Sequence, residues 1–319
     1  MTKRTGDGWD LLDPDVYDLL AARGGTGNMA ENLDQIREYL ETLPYPESLP
    51  EMASVEWVEI DGPDGDRLPL QIVRPTDERG GPAIVYFHSG GMVMGSAKSS
   101  YPVAAHLAHG SGATVINVDY RLAPDHPVPA QAEDGYAALC WVAANADELG
   151  IDPARIATCG DSAGGTLAAA VPQLSRDRGG PAVFAQVIAY GGCDFDLGAE
   201  SVREFANAPG LDFVNVTSLK RLAGSAEAHE SPYVVPMLAR DLSGLPQAIV
   251  VTGEVDPIRD WSERYAARLR EARVQVTLTR YPGLHHGFLM RVDDLARARL
   301  AMAEIGALLR AKFAHPLPW

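Results

Sequence analysis

Beyond residue 53 the chain repeats one pattern of apolar positions. Short runs rich in β-branched and aromatic residues recur as SVEWVEI, LPLQIV, AIVYFH, ATVINVDY, RIATCG, FAQVIAY, QAIVVTG and VQVTLTRY. Most are flanked by Gly, Pro, Asp or Asn and all are too short for a globular helix, so each predicts a strand. After the third run, Ala-rich windows of helical period stand between them, and alternating strands and helices predict a mostly parallel sheet with helices on both faces. The first two runs, joined across DGPDGDR, read as an antiparallel hairpin at the sheet edge. Ahead of the sheet, PDVYDLLAARG and MAENLDQIREYLETL space Leu, Ile and Tyr to give two helices with an apolar face each, and LPYPESLPEM separates them from the body. Residues 197–231 fit no strand–helix unit. Their helical pieces predict an insertion that forms one part of a helical cap, with residues 1–50 as the other part and 51–196 with 232–319 as the α/β body. No internal repeat or low-complexity tract interrupts this reading.

Composition narrows the partners. The chain has 319 residues, 46% hydrophobic and 22% charged, enough for a large core. With 43 acidic against 27 basic residues the net charge is -16, which argues against a phosphate-backbone binder or a protein held to an anionic membrane and favours a small uncharged or cationic ligand. The start, MTKRTGDGWDLLDPD, turns acidic before any apolar stretch, so a signal peptide is not expected. No segment reaches the roughly 20 apolar residues of a membrane span. Cys140, Cys159 and Cys193 are widely spaced, which excludes a disulfide framework or a CxxC pair and points to a reducing, cytoplasmic location.

Candidate chemistry begins at IATCGDSAGGTLAAAV. A strand ends at Gly160, Ser162 follows, and Gly164 and Gly165 open a helix, which is the context of a nucleophile elbow. A serine nucleophile needs a base and a group that orients it, in the chain order Ser, acid, His for this sheet type. Asp256, where QAIVVTG runs into EVDPIRD, is the preferred acid; Glu254 is a rival, and so is Asp260, expected on a helix facing solvent. His286 in PGLHHGFL is the preferred base, with its neighbour His285 as the alternative, since adjacent side chains point in different directions. An oxyanion formed at Ser162 needs N–H donors, each worth about 10²- to 10³-fold in rate. Ala163 offers one, and Gly90 and Gly91 in AIVYFHSGGMVMGS offer two more.

These residues carry a resemblance. HSGG corresponds to a His-Gly-Gly-Gly run, DYRLAPDHPVPA to a Tyr-Arg-Leu-Ala-Pro segment, GDSAGG to an elbow, SPYVVPMLARDLSGLPQAIVVTGEVDPIRD to an acid-bearing region and HHGF to a final His-Gly-Phe. In this order and over nearly its whole length, the chain resembles the bacterial branch of the hormone-sensitive-lipase family of α/β-hydrolases. The resemblance implies an α/β-hydrolase fold with a cap and a carboxylic ester hydrolase with Ser162, Asp256 and His286 as its triad. It further implies an oxyanion hole of Gly90, Gly91 and Ala163, no cofactor, a small ester as partner, and a homodimer as an assembly many relatives form. A cap favours short- to medium-chain esters. An amide or lactone hydrolase would use the same triad, and a non-catalytic receptor on this fold would be expected to lack the histidine that is present here.

Two positions depart from the family pattern. Ser89 replaces the first glycine of the loop, where it either shapes the pocket or bonds locally; the donors of this family are the second and third residues. Trp261 stands where relatives often carry an acid, and packing alone is expected of it. Met92, Met94 and Phe213 are expected either to line the substrate pocket or to fill core. Arg121, Asp125 and Asp134 are expected to form a buried network behind the glycine loop, His88 to hold that loop, and Asp161 to anchor the elbow. GGTGN at residues 24–28 follows no strand, GxxxxGK and HExxH are absent, and His106, His109, His126, His229 and His315 lack metal-ligand spacing.

Overall fold

The computed structural model describes residues 7–23 and 27–316. The first six residues of MTKRTGDGWDLLDPD and the first three of GGTGN therefore lie outside the described residues. Helices α1 (Pro14–Arg23) and α2 (Leu33–Thr42) lead into strands β1 (Ser54–Asp61), β2 (Arg67–Arg74) and β3 (Gly81–Phe87). Then follow α3 (Tyr101–Ser111), β4 (Thr114–Val118), α4 (Ala130–Ala144), α5 (Ala146–Leu149), β5 (Ile151–Asp161), α6 (Ala163–Arg178) and β6 (Ala185–Ala189). The insertion carries α7 (Glu200–Glu204) and α8 (Phe213–Ala223), after which β7 (Gln247–Val255), α9 (Arg259–Glu271), β8 (Val276–His285) and α10 (Ala296–Ala314) close the chain. None of the helices among the described residues is long and apolar enough to cross a membrane.

The strands form one sheet in the order β1-β2-β4-β3-β5-β6-β7-β8. β2 runs antiparallel to β1 and β4, and the other pairs are parallel. Period-two alternation sends Ile84 and Tyr86 into the core under α3 and α10, and Val85 and Phe87 into the core under α4 and α6. The buried strands read as continuous apolar runs because both faces are covered.

Register fixes what meets at the carboxyl ends. Phe87 is level with Gly160, so the loop after β3 lies beside the turn after β5; Val255 is level with His285, so Asp256 and His286 emerge as neighbours. Two strands exceed their apolar runs. β5 starts at Ile151 because Gly81 pairs with it across a register shift, and β8 continues through Pro282 and Gly283 to His285 across a shift in β7. Breaker residues at those places hid the extensions.

The two N-terminal helices join different cores. Val16 and Leu20 of α1 are buried in the cluster that holds Phe288 and Leu289, whereas Leu33, Ile36 and Leu40 of α2 pack against the cluster that holds Met92, Val93 and Met94.

Candidate active site

Ser162 sits between β5 and α6 at φ +54°, a left-handed conformation that a non-glycine residue adopts only when its surroundings impose it. The surroundings are the sheet itself. A Cβ on Gly164 would stand 1.9 Å from the Phe87 carbonyl oxygen, so only glycine lets the first turn of α6 pass so close to β3. The Ser162 N–H donates to the Ala189 carbonyl (2.9 Å), tying the turn to β6.

Three predicted side chains meet here. The Ser162 hydroxyl lies 2.8 Å from His286 Nε2, and His286 Nδ1 lies 2.8 Å from Asp256 Oδ2. With a carboxylate at one nitrogen, the neutral imidazole carries its proton on Nδ1 and leaves Nε2 free to accept the serine proton. Asp256 is fully buried, and its other oxygen accepts the Ile258 N–H (2.8 Å). The carboxylate is thus fixed from two sides.

The rivals go elsewhere. Glu254 accepts the Gly283 N–H (2.9 Å). Asp260 accepts the Ser201 N–H (2.8 Å) and pairs with Arg259, and its side chain is only 16% exposed. It does not face solvent as expected, because the insertion covers that turn of α9. His285 is buried, its Nδ1 has no partner among the described residues, and burial pulls its pKa down to about 3. Its ring packs under Gly210 of the insertion, where a Cβ would come within 2.8 Å.

The loop after β3 turns sharply at Gly90, whose φ is +121° and whose Cβ would fall 1.9 Å from the Met94 carbonyl oxygen. The Gly90 carbonyl accepts the N–H groups of Val93 and Met94 (both 3.0 Å), which leaves no room for a side chain. Among the described residues, the N–H groups of Gly90, Gly91 and Ala163 have no protein acceptor. Ala163 is also the first residue of α6, where the positive end of the helix dipole lies.

Ser89 donates its hydroxyl to Met290 Sδ (3.0 Å). His88 lies flat on Tyr120 with ring centroids 4.0 Å apart, contacts the Ser89 carbonyl through Nδ1 (2.7 Å), and is pulled by burial to a pKa of about 4. Met92 and Met94 are buried beside Phe87 and Ala163, while Phe213 is 37% exposed at the start of α8. Trp261 is buried, stacks near Phe195 and donates to the Asp196 carbonyl (3.0 Å).

Arg121 pairs with buried Asp134 (2.8 Å) and reaches Asp64 in the β1–β2 hairpin (2.7 Å). Asp125 does not belong to this network. It is largely exposed and lies 3.5 Å from Arg37, because the chain turns outward between Pro124 and Pro127. Sequence reasoning missed Arg37, whose Nε donates to the Val93 carbonyl and whose Nη2 donates to the Ala123 carbonyl (2.7 Å each). Its signal was present: Leu33, Ile36, Arg37 and Leu40 share the apolar stripe of α2, and a charge on such a stripe must find buried acceptors.

Comparison with known proteins gives the family. Residues 84–290 match the family described by its alpha/beta hydrolase fold. The chain belongs to the hormone-sensitive-lipase branch of the α/β-hydrolases. It is 40% identical over 285 residues to the carboxylesterase NlhH of Mycobacterium tuberculosis, covering 87% of this chain and 89% of that protein. The esterase LipI of the same organism is 37% identical over 289 residues, covering 89% and 90%. Among solved structures, an esterase of Pyrobaculum calidifontis superposes with a TM-score of 0.83 at 36% identity, covering 94% of this chain and 98% of that one. A thermostable esterase from Pseudomonas putida gives 0.87 at 30% identity, covering 94% and 97%.

Proposed function

We propose that this chain, a carboxylic ester hydrolase, cleaves short- to medium-chain acyl esters with Ser162 as nucleophile, His286 as general base and Asp256 as the group that orients the base. The observation that carries the reading is the unbroken chain of contacts from Ser162 Oγ through the imidazole to buried Asp256, 2.8 Å at each link. His286 takes the serine proton as Oγ attacks the ester carbonyl. The N–H groups of Gly90, Gly91 and Ala163 receive the developing oxyanion, and preorganised donors of this kind act most strongly where water is excluded. Imidazolium then protonates the leaving alcohol, and water activated by the same base hydrolyses the acyl-enzyme. The reaction requires no group beyond these residues and water.

Residues 1–50 and 197–231 act as a cap over this end of the sheet. Leu219 of α8 approaches Gly91, Gly210 lies on His285, and Asn215 of α8 accepts the Met29 N–H (2.8 Å) and donates to the Gly27 carbonyl (2.9 Å). Those bonds join the two parts, and a covered site favours small esters over long-chain glycerides. Three unpaired cysteines suit a cytoplasmic enzyme.

Turnover of p-nitrophenyl esters from acetate to palmitate tests the proposal. Wild type is expected to prefer the short members, and Ser162→Ala and His286→Ala to lose more than about 10³-fold. A folded wild type inactive across the series, with activity on amides or lactones instead, would overturn the ester assignment.

A further inference from the structure

Tyr190 occupies a place that the mechanism above does not use. It follows β6 directly, has no solvent exposure, and holds φ at +39°, in the strained region for a bulky residue. The backbone here is pinned between β7 and the nucleophile turn. Its own N–H donates to the Val251 carbonyl (2.6 Å), and the Ala189 carbonyl just before it accepts the N–H of Ser162 (2.9 Å). Its side chain then reaches both turns. The hydroxyl accepts the N–H of Leu289 (3.1 Å), three residues beyond His286, and donates to Asp161 Oδ2 (3.2 Å), one residue before Ser162. The ring meets the His286 imidazole edge-on with centroids 5.1 Å apart.

Asp161 completes the link. It is buried, its other oxygen accepts the Tyr86 hydroxyl (2.6 Å), and no cation among the described residues pairs with it. The turn that follows His286 starts at Gly287, with φ +79°, and is a single short 3-10 turn whose first N–H groups have no partner of their own. The Met290 N–H donates to the Gly287 carbonyl (3.1 Å) and Phe288 and Leu289 are buried, so the Tyr190 hydroxyl adds to these a polar tie from the turn to the nucleophile side.

We propose that Tyr190 and Asp161 are positioning residues for His286: the shared hydroxyl locks the turn that carries the base to the carboxylate beside the nucleophile, and the ring edge sets the plane of the imidazole. The proposal rests on the triad reading above. It explains why a bulky residue is kept in a strained conformation beside the site. The groups facing Asp161 are Tyr86 from β3, Cys159 on its own strand, Tyr120 beyond β4, Tyr190 beyond β6 and His286 beyond β8.

The test uses the full chain with p-nitrophenyl butyrate, comparing wild type, Ser162→Ala, Tyr190→Phe and Asp161→Asn for kcat, KM and melting temperature. Tyr190→Phe keeps the ring and removes the hydroxyl, so kcat is expected to fall about tenfold while KM stays within about twofold, since misplacing a reacting group costs rate before binding. Asp161→Asn weakens the acceptor of the Tyr190 hydroxyl and is expected to lower kcat several-fold, again with KM within about twofold. A Tyr190→Phe enzyme with kcat within twofold of wild type overturns the proposal, as does a loss shared equally by kcat and KM. A kcat within twofold of wild type in folded Asp161→Asn removes the carboxylate's part; if that variant does not fold, Tyr190→Phe decides alone. Ser162→Ala with the wild-type rate would instead show that the triad reading has failed.

Discussion

The turn after β5 and the loop after β3 stand side by side at the same end of the sheet, yet they are held in opposite ways. The nucleophile turn is fixed by the sheet beneath it: Gly160 and Gly164 let strand and helix pack so closely that an added Cβ at Gly164 would lie 1.9 Å from β3, and the Ser162 N–H donates to the Ala189 carbonyl of β6 (2.9 Å). The glycine loop is fixed from outside. Arg37 of α2 grips the Val93 carbonyl, Leu219 of α8 approaches Gly91, and Met290 beyond β8 accepts from Ser89. The nucleophile and the neighbouring Ala163 are therefore set by the sheet, whereas the other two donors proposed to receive its oxyanion, Gly90 and Gly91, also depend on helices that lie outside it. Rate should be adjustable from α2 and α8 without touching the triad.

The contrast can be broken first at Gly164. Gly164→Ala is expected to abolish activity or folding, measured by butyrate hydrolysis and circular dichroism, because backbone rather than a flexible side chain stands in the way. Retained activity would show that the turn is less rigid than the sheet register implies. Arg37→Ala should act next most strongly, lowering kcat about tenfold with a smaller change in KM, since its two carbonyl partners lose their donor while the triad is untouched. Arg37→Lys should rescue little, because one ammonium cannot reproduce the guanidinium fork that spans both carbonyls. Full activity in both variants would mean the loop holds itself.

Acid stability adds a further comparison, because one buried histidine opens the glycine loop and another precedes the proposed base at the end of β8. Burial holds His88 near pKa 4 and His285 near 3, below the roughly 6.5 of an unfolded chain. As pH falls through about 6.5 the unfolded chain takes up protons that the folded one refuses, so stability falls until about pH 4 to 3, by an amount on the order of a few kcal/mol. Melting temperatures between pH 7.5 and 4.5 should show the loss, with a flatter slope in His285→Asn. The smallest effect is expected at Ser89→Gly, which should keep at least about a tenth of the activity, since it removes a weak contact to sulfur and none of the proposed donors.

The same difference explains what could be read from the sequence. Strand positions and sheet class followed from periodicity, and the nucleophile turn followed from consecutive residues, because both are local. The pairing of Asp256 with His286 needed chain order as well, which the sequence also holds. Asp260 and Asp125 were misplaced because their partners, Ser201 and Arg37, come from segments far along the chain. Tyr190 gave no signal at all: a tyrosine at the end of an apolar run reads as strand, and only the folded chain shows its hydroxyl between Asp161 and Leu289. Arg37 left a mark on its helix stripe, but the carbonyls it holds lie 56 and 86 residues away.

The most direct test of the central claim is covalent capture of the nucleophile. Wild type, Ser162→Ala and His286→Ala would be treated with an alkyl p-nitrophenyl phosphonate, followed by intact-mass measurement and peptide mapping. One adduct on the peptide containing Ser162 in wild type, formed far more slowly in His286→Ala and absent from Ser162→Ala, is the expected result. An adduct on another residue, or one formed in Ser162→Ala at the wild-type rate, would contradict the account.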